Sequence, residues 1–485
     1  MTTKGYMNDF YKQFEEVNEK LDKANNTIFN MSLTISELNE SNKNLLKELE
    51  KSNKKVQELL LEIERLKNNN KKDSSNSSKP SSTNGFKKVI TNNRNKSSRK
   101  KGAQPNHEGK TLTNEQIEKL IDDGEIDEII TIEENKNESN NHLTPIIRYE
   151  YDIEIKRIVT KHIIYPNKIT NISKYPVIYG NRFKAIQCLL NQKYMSLDGV
   201  QSFIYDVTNN KILTSKGSLY AWNKEICNKL LNTEYQHIQK QLLNSLVLNV
   251  DESPIKINGE QYYLHNISNG THTLQYVTKH RNQEDIDDFG FLKQYKGIIV
   301  HDHYSLYYNY GIDNAECNVH VLRYLNGVTE FTNHTWAKKM KELLLEMKTT
   351  KEKYQQANID KILEKEYEIF KRKYLEILEE AKEERKKDLM NNPYKKEEIN
   401  LINRLLKYCD NHLLFLKKFF VPFSNNRAEA DLRGIKIKQK IGKFRSLEGA
   451  TIYSVIKSCI STYKKNGINL YKAIVGLLNG EPILV

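Results

Sequence analysis

The sequence predicts an α/β protein in which a long amino-terminal helix and a small domain precede a mixed sheet flanked by helices. Three observations support this prediction. A heptad repeat fills the first part of the chain, short apolar or alternating runs follow one another between 246 and 300, and helical periodicity occupies most of the remainder. With 485 residues the chain is too long for a single hydrophobic core, so roughly three segments or domains are expected.

The first helix carries an uninterrupted heptad from Phe10 to Leu66. Its a positions are Phe14, Leu21, Ile28, Ile35, Asn42, Leu49, Val56 and Ile63. Such a helix would be roughly 85 Å long and has a narrow apolar stripe, which does not suit an ordinary globular element. The pattern predicts a coiled coil over 7–70 that joins chains into a homodimer or a higher homo-oligomer. A helix folded back on its own domain is the alternative.

The next segments change in composition. Residues 71–112 are rich in Asn, Ser, Lys and Arg, which predicts a disordered basic linker that acts as a solvated tether or as a nonspecific phosphate contact. Residues 113–170 are predicted to form a small domain, first a helix and then a run over 147–166 whose alternation is typical of paired strands. Residues 171–245 predict helices that break at 208–211, as a plain helical domain or as a helix-turn-helix.

Charge and cysteine usage narrow the function. Lys and Arg total 76 against 62 acids, a net charge of +14, which favours a polyanionic partner such as nucleic acid. The five cysteines lie far apart without a CxxC pair, which argues against a disulfide scaffold and an intact zinc ribbon and fits a reducing compartment. Since neither a signal-like segment nor an 18-residue apolar run is present, we expect a cytoplasmic protein without a membrane contact.

Two carboxylates follow predicted strands. The apolar run 246–250 ends at Asp251, which is expected at the tip of its strand, and the run 297–300 ends before His301, Asp302 and His303. The intervening segments 262–267 and 273–278 predict a hairpin around an Asn-Gly pair. If the two apolar strands pair, both aspartates lie at the same end of the sheet. The two histidines are interpreted as polar residues at a strand end, with a phosphate-facing role as the alternative.

A third carboxylate, Glu429, lies in the first turns of a helix that opens at Ser424 or Asn425. A charge-rich helical segment at about 334–420 separates it from Asp302. Three carboxylates form an oxygen-rich site that suits Mg²⁺ or Mn²⁺ rather than zinc. Two such ions, roughly 3.5 to 4 Å apart, can activate a water or a 3′-hydroxyl and stabilise the leaving oxygen in phosphodiester chemistry.

Basic residues flank Glu429 on its helix and continue into the next turn. They are Arg427, Arg433, Lys436, Lys438, Lys440, Lys443 and Arg445. Because carboxylates repel a phosphate backbone, neighbouring cations are needed to hold DNA at such a site. The group is therefore predicted to bind DNA, with Lys436, seven residues after Glu429, as the strongest candidate and a merely soluble helix face as the alternative.

These motifs resemble the transposases of the insertion sequence 66 class. The segments that carry the resemblance are GAQPNHEGKTL at 102–112, NVDESP at 249–254, HDHYSLYYNYG at 301–311 and SNNRAEADLRGIKIKQKIGKFRSLEGA at 424–450. The resemblance implies a DDE catalytic core of ribonuclease H-like fold over 246–450, followed by a helical region at 451–485. It also implies Asp251, Asp302 and Glu429 as catalytic metal ligands. The implied reaction cleaves double-stranded DNA at terminal inverted repeats and transfers the strands to target DNA.

The resemblance has further implications. Cys317, His320 and Arg323 match a family helix after the second aspartate, interpreted as a packing and DNA-facing helix because one Cys and one His cannot complete a zinc site. The family's zinc-ribbon cysteines are absent from 129–165, where His142 and His162 are the remaining candidates, so no zinc is expected. Accessory proteins encoded by the same element and association with the nucleoid are also implied. The alternatives are another ribonuclease H-like nuclease and a non-catalytic coiled-coil DNA-binding protein.

Overall fold

The computed structural model describes residues 3–71, 112–133, 147–163, 177–332, 334–387 and 394–485. The predicted basic linker, the segment GAQPNHEGKTL and His142 lie almost entirely outside the described residues. Within them the protein is mostly helical and contains one five-stranded mixed sheet, so the α/β class is confirmed. No helix among the described residues is long and apolar enough to cross a membrane.

Helix α1 spans Thr3–Lys71 and is 69 residues long, which corresponds to about 100 Å. Its heptad side chains are exposed; Leu21 and Leu49 expose 56% and 57% of their surface. The described residues of the same chain therefore leave the apolar stripe uncovered. Among the described residues, the helix is therefore not folded back on its own domain. The coiled coil itself stays a prediction.

The predicted helix of the small domain is α2, Asn114–Asp122. Thr113 caps it, accepting a hydrogen bond from the Gln116 backbone while the Gln116 side chain accepts one from the Thr113 backbone. The prediction of paired strands is wrong for residues 147–163, which join no strand among the described residues. Ile153 and Val159 expose 79% and 93% of their surface there, so the alternation buries no face and gains nothing from pairing.

Four helices fill the next region as predicted. They are α3 Asn181–Gln192, α4 Leu197–Val207, α5 Lys216–Leu231 and α6 Glu234–Leu243. Asn209 and Asn210 interrupt the helical run between α4 and α5. Both adopt the left-handed conformation, which asparagine tolerates better than most residues. Ser215 caps α5 by accepting from the Ser218 backbone at 3.0 Å. Helix-turn-helix function stays a prediction.

The sheet has the order β3-β2-β1-β4-β5. Its strands are β1 Val247–Ile257, β2 Glu260–Ser268, β3 Thr273–Thr278, β4 Ile298–His301 and β5 Asp313–Glu316. The first three pair antiparallel, whereas β4 is parallel to β1 and to β5. The hairpin and both apolar strands are thus confirmed. Strand β5 was not predicted, since Asp-Asn-Ala-Glu has no apolar pattern.

The expected end of β1 at Asp251 is wrong, because the strand continues to Ile257. Its β4 partner stops opposite Asn249, and the Asn425 side chain then donates to the Val250 carbonyl at 2.8 Å in place of a strand. The Lys256 backbone N–H points to the same side, toward Gln439. Pro254 has the same orientation as Lys256 on this edge, so its missing N–H removes no bond to β2.

Helices connect and cover the sheet. Between β3 and β4 lie α7 Gln283–Phe289 and α8 Phe291–Gln294. The predicted insertion is helical and comprises α10 Trp336–Gln356, α11 Glu364–Lys387, α12 Lys395–Lys407 and α13 Cys409–Lys417, after α9 Asn318–Phe331. Trp336, Tyr374 and Phe415 are buried in its core.

The last three helices are α14 Asn426–Ile441, α15 Leu447–Lys465 and α16 Leu470–Asn479. Helix α15 covers the edge strand β3. Its Ser458 and Thr462 hydroxyls accept hydrogen bonds from the Gln275 and Thr273 backbone at 2.8 and 3.1 Å. Side-chain hydroxyls thus satisfy backbone donors that an edge strand would otherwise expose.

Candidate functional site

Two aspartates meet where the parallel strands β1 and β4 diverge. Because Asn249 pairs with Val300, Asp251 and Asp302 stand side by side just beyond the paired residues. Burial raises the pKa of Asp251 well above its usual value, and the negative charges of Asp302, Glu252 and Glu429 add to this shift. The predicted carboxylates therefore share one electrostatic environment.

Helix α14 brings Glu429 to the aspartates. Asn425 precedes the helix, as expected, but its side chain does not cap it. It accepts a hydrogen bond from the Asn249 side chain at 2.9 Å and donates to the Val250 carbonyl at 2.8 Å. These two bonds fix the start of α14 beside β1, with Glu429 in the first turn. The role of Asn249 and Asn425 was not predicted, although both lie in segments that carry the family resemblance.

The carboxylates keep buried oxygens without a hydrogen-bond partner among the described residues. These atoms are Asp302 Oδ1 and Glu429 Oε1. Unpaired buried anions are costly, and a divalent cation would compensate both the missing hydrogen bonds and the mutual repulsion. An all-oxygen donor set of Asp251, Asp302 and Glu429 fits Mg²⁺ or Mn²⁺.

A fourth acid, Glu252, lies next to the site and was missed by the sequence analysis. Burial and the charge of Asp302 raise its pKa to about 7, although Arg281 and Tyr307 act in the opposite direction. Arg281 forms an ion pair with it, and the Tyr307 hydroxyl donates to it at 2.5 Å. The Arg281 guanidinium also lies 3.6 Å from the centre of the Tyr304 ring. Glu252, Tyr304 and Tyr307 lie in two of the segments that carry the family resemblance, but nothing in those segments links them to Arg281.

The two histidines beside Asp302 belong to a buried polar network. His301 is fully buried, and burial lowers its pKa to about 4, which keeps it neutral. His303 has a left-handed backbone with φ of 79°, donates its N–H to His301 Nδ1 and pairs through its ring with Glu316. Arg404 of the insertion contacts the other Glu316 oxygen at 2.6 Å. These contacts agree with the interpretation of the histidines as polar residues at a strand end.

Helix α9 places three side chains near Glu429. His320 Nε2 lies 3.7 Å from Glu429 Oε1, and Arg323 Nη2 lies 3.8 Å from Glu429 Oε2. Cys317, just before the helix, is fully buried. Its Sγ, a ring nitrogen of His320 and a Glu429 oxygen lie within 4.8 Å of one another. The Cys-x-x-His-x-x-Arg spacing was recognised in the sequence, but its contact with Glu429 was not.

The predicted DNA-binding cations line α14 and the turn that follows it. Arg427, Arg433, Lys440, Lys443 and Arg445 are exposed, whereas Lys436 is partly buried. Lys438 is also partly buried, and burial lowers its pKa. The Asn258 N–H donates to the Phe444 carbonyl at 2.9 Å and fastens the turn to β1. The cations thus extend along one element that begins at the carboxylates.

A family model described as "Transposase IS66 family" matches residues 177–452. The match covers more than half of the chain and includes the whole sheet, the helical insertion and the three carboxylates. No curated protein matches the chain.

Proposed function

Because the chain belongs to the IS66 transposase family, we propose that it binds the ends of an insertion sequence, cleaves DNA there and joins the cut strands to target DNA. The observation that carries this proposal is the convergence of Asp251, Asp302 and Glu429, which come from two parallel strands and a distant helix. The positions of Asp251 on β1, Asp302 directly after β4 and Glu429 on α14 support a DDE core of ribonuclease H-like fold over 246–450.

The three carboxylates would hold two Mg²⁺ or Mn²⁺ ions. When bound, these ions would activate a water or a 3′-hydroxyl and stabilise the leaving oxygen. The protein's own contribution is to fix the ligands: β1 holds Asp251, and Asn425 fixes the first turn of α14. Arg323, beside Glu429, and Arg281, beside Glu252, place positive charge where a phosphate would approach.

We assign DNA contacts to Arg323, to Arg427 and to the cations that follow Glu429 on α14 and its turn. Exposure supports Arg433, Lys440, Lys443 and Arg445 most directly. Lys438 is the weakest member, because much of its side chain is buried. In this proposal the helical region at 171–245 and the small domain at 113–170 add DNA contacts, and α1 joins two copies so that both element ends are held together.

The test replaces each acid by its amide: Asp251→Asn, Asp302→Asn and Glu429→Gln. Each variant should lose Mg²⁺-dependent end cleavage and joining, because it loses a ligand charge, while DNA binding stays equal or tightens as phosphate repulsion falls. Cleavage, joining and DNA binding are measured on the same preparations.

Asp288→Asn and Glu284→Gln are matched controls, since both acids are exposed on α7. They should behave as wild type in both assays. Undiminished turnover in any one of the three amide variants would remove that residue from the site.

A further inference from the structure

A mixed set of donor atoms lies on the α9 side of Glu429. The Cys317 sulfur, an imidazole nitrogen of His320 and a carboxylate oxygen of Glu429 lie within 4.8 Å of one another. Sulfur and imidazole are poor ligands for Mg²⁺ but good ligands for Zn²⁺ and similar ions. The chemistry of this set therefore differs from that of the carboxylate site, although both contain Glu429.

The surroundings of Cys317 suit a metal-bound thiolate. Its Sγ accepts a hydrogen bond from the Asn425 backbone at 3.1 Å, and backbone N–H groups at the start of α9 also lower the pKa of the thiol. Backbone donors of this kind, at the N-terminus of a fourteen-residue helix, stabilise negative charge on sulfur. Burial acts against them and raises the pKa of the free thiol to about 11, so a cation would have to displace the proton.

The other two donors have free capacity. His320 is 91% buried, since its exposed fraction is 9%, and its Nδ1 has no hydrogen-bond partner among the described residues. Glu429 Oε1 also has no hydrogen-bond partner among the described residues. Unsatisfied buried polar atoms are rare in folded proteins and indicate an absent partner. Here both belong to residues that share the donor cluster with the Cys317 sulfur.

We propose that Cys317, His320 and Glu429 form a binding site for a thiophilic divalent cation such as Zn²⁺. Three protein ligands leave one position open, as in zinc sites that exchange a water or another ligand. The site is separate from residues 129–165, where the sequence predicts no zinc.

The effect of zinc on activity rests on the proposed function, in which Glu429 is also a ligand of the Mg²⁺ pair. Glu429 cannot serve the Mg²⁺ pair fully while it binds a second kind of ion with Cys317 and His320. Zinc bound here should therefore inhibit Mg²⁺-dependent DNA cleavage by competing for that carboxylate.

Co²⁺ titration of the full-length protein tests the site without any activity assay. Co²⁺ bound to a thiolate gives a near-ultraviolet charge-transfer band, which wild type should show at one equivalent and which Zn²⁺ should abolish. Cys317→Ser should lose the band, and His320→Gln should weaken Co²⁺ binding by about 100-fold or more, since loss of a ligand costs at least as much as loss of an outer partner. Circular dichroism confirms that each variant is folded.

Cys409→Ser is the matched control, because Cys409 is also a buried free cysteine but lies on α13. It should keep the band. No band in wild type, or a band that survives Cys317→Ser, would overturn the site. If the band behaves as expected but Zn²⁺ does not inhibit end cleavage, the shared use of Glu429 is wrong. If the protein cleaves no DNA at all, the proposed function fails while the cobalt result still decides the site.

Discussion

Asn425 is the residue on which the geometry of the carboxylate site depends most directly. It is fully buried, and its amide exchanges hydrogen bonds with Asn249 and Val250 of β1. Its own backbone N–H donates to Cys317. One residue thus connects β1, the start of α9 and the start of α14, which are the elements that carry Asp251, His320 and Glu429.

Asn425→Ala should destabilise the protein by about 2 to 3 kcal/mol, because it leaves buried polar groups of β1 without partners. It should also reduce end cleavage further than the loss of folded protein explains, since Glu429 is no longer fixed beside Asp251. Urea unfolding and cleavage assays on the same sample measure both effects. Asn426→Ala is the control, because Asn426 is the exposed next residue. Equal behaviour of the two variants would contradict this role.

At the scale of elements, the helical insertion is bound to the edge of the sheet by polar contacts. Glu316 on β5 is fully buried and pairs with Arg404 of α12, whose side chain is 10% exposed. The Asn411 amide of α13 donates to the Asn314 carbonyl of β5 at 2.6 Å. Because Glu316 also holds His303, next to Asp302, the insertion supports the loop that carries the second aspartate.

Arg404→Met should destabilise the protein by about 3 to 5 kcal/mol, because the Glu316 carboxylate stays buried but loses its guanidinium partner. The control is Arg372→Met on α11, where the Arg372 and Glu376 side chains are more than 60% exposed and their ion pair should contribute less than about 0.5 kcal/mol. The two chemical changes are the same, so only burial differs. Chemical unfolding midpoints that fall equally in both variants would show that the Arg404–Glu316 ion pair stabilises the protein no more than the exposed pair does.

At the scale of the whole molecule, we propose that α1 determines how many chains act together. Its a and d side chains form an exposed apolar stripe of about eight heptads, interrupted at an a position by Asn42. A buried amide at this position costs stability unless it meets its own copy, which a parallel, in-register pair allows. We therefore expect a parallel dimer, which would suit a reaction on two DNA ends.

Asn42→Ile should raise the melting temperature of α1 and loosen the choice between dimer and higher oligomers, because the polar contact that specifies two strands is lost. Sedimentation equilibrium of the full chain and thermal melts of segment 7–70 measure the two effects. Asn44→Ile, at a c position outside the stripe, should not change the oligomeric state. A monomeric wild type, or an Asn42→Ile variant that melts at a lower temperature, would exclude the dimerising zipper.

The sequence by itself determined the features that depend on local pattern. Hydrophobic periodicity predicted α1, the helices of 181–243 and the strands β1 to β4, since each buries or exposes a face set by its own spacing. It failed at 147–163, where alternation exists but nothing is buried. Periodicity did not predict β5, whose sequence is mostly polar. This strand forms because β4 is available to pair with it, not because of its own residue pattern.

Tertiary structure alone decided how distant residues meet. Asp251 lies inside a longer strand, because the side chain of Asn425, 174 positions away, hydrogen-bonds the β1 backbone where β4 ends. Glu429 contacts His320 and Arg323 across more than 100 positions, and Glu316 pairs with Arg404 across 88. Such contacts follow from the packing of whole elements against one another. The spacing of residues along one element does not predict them.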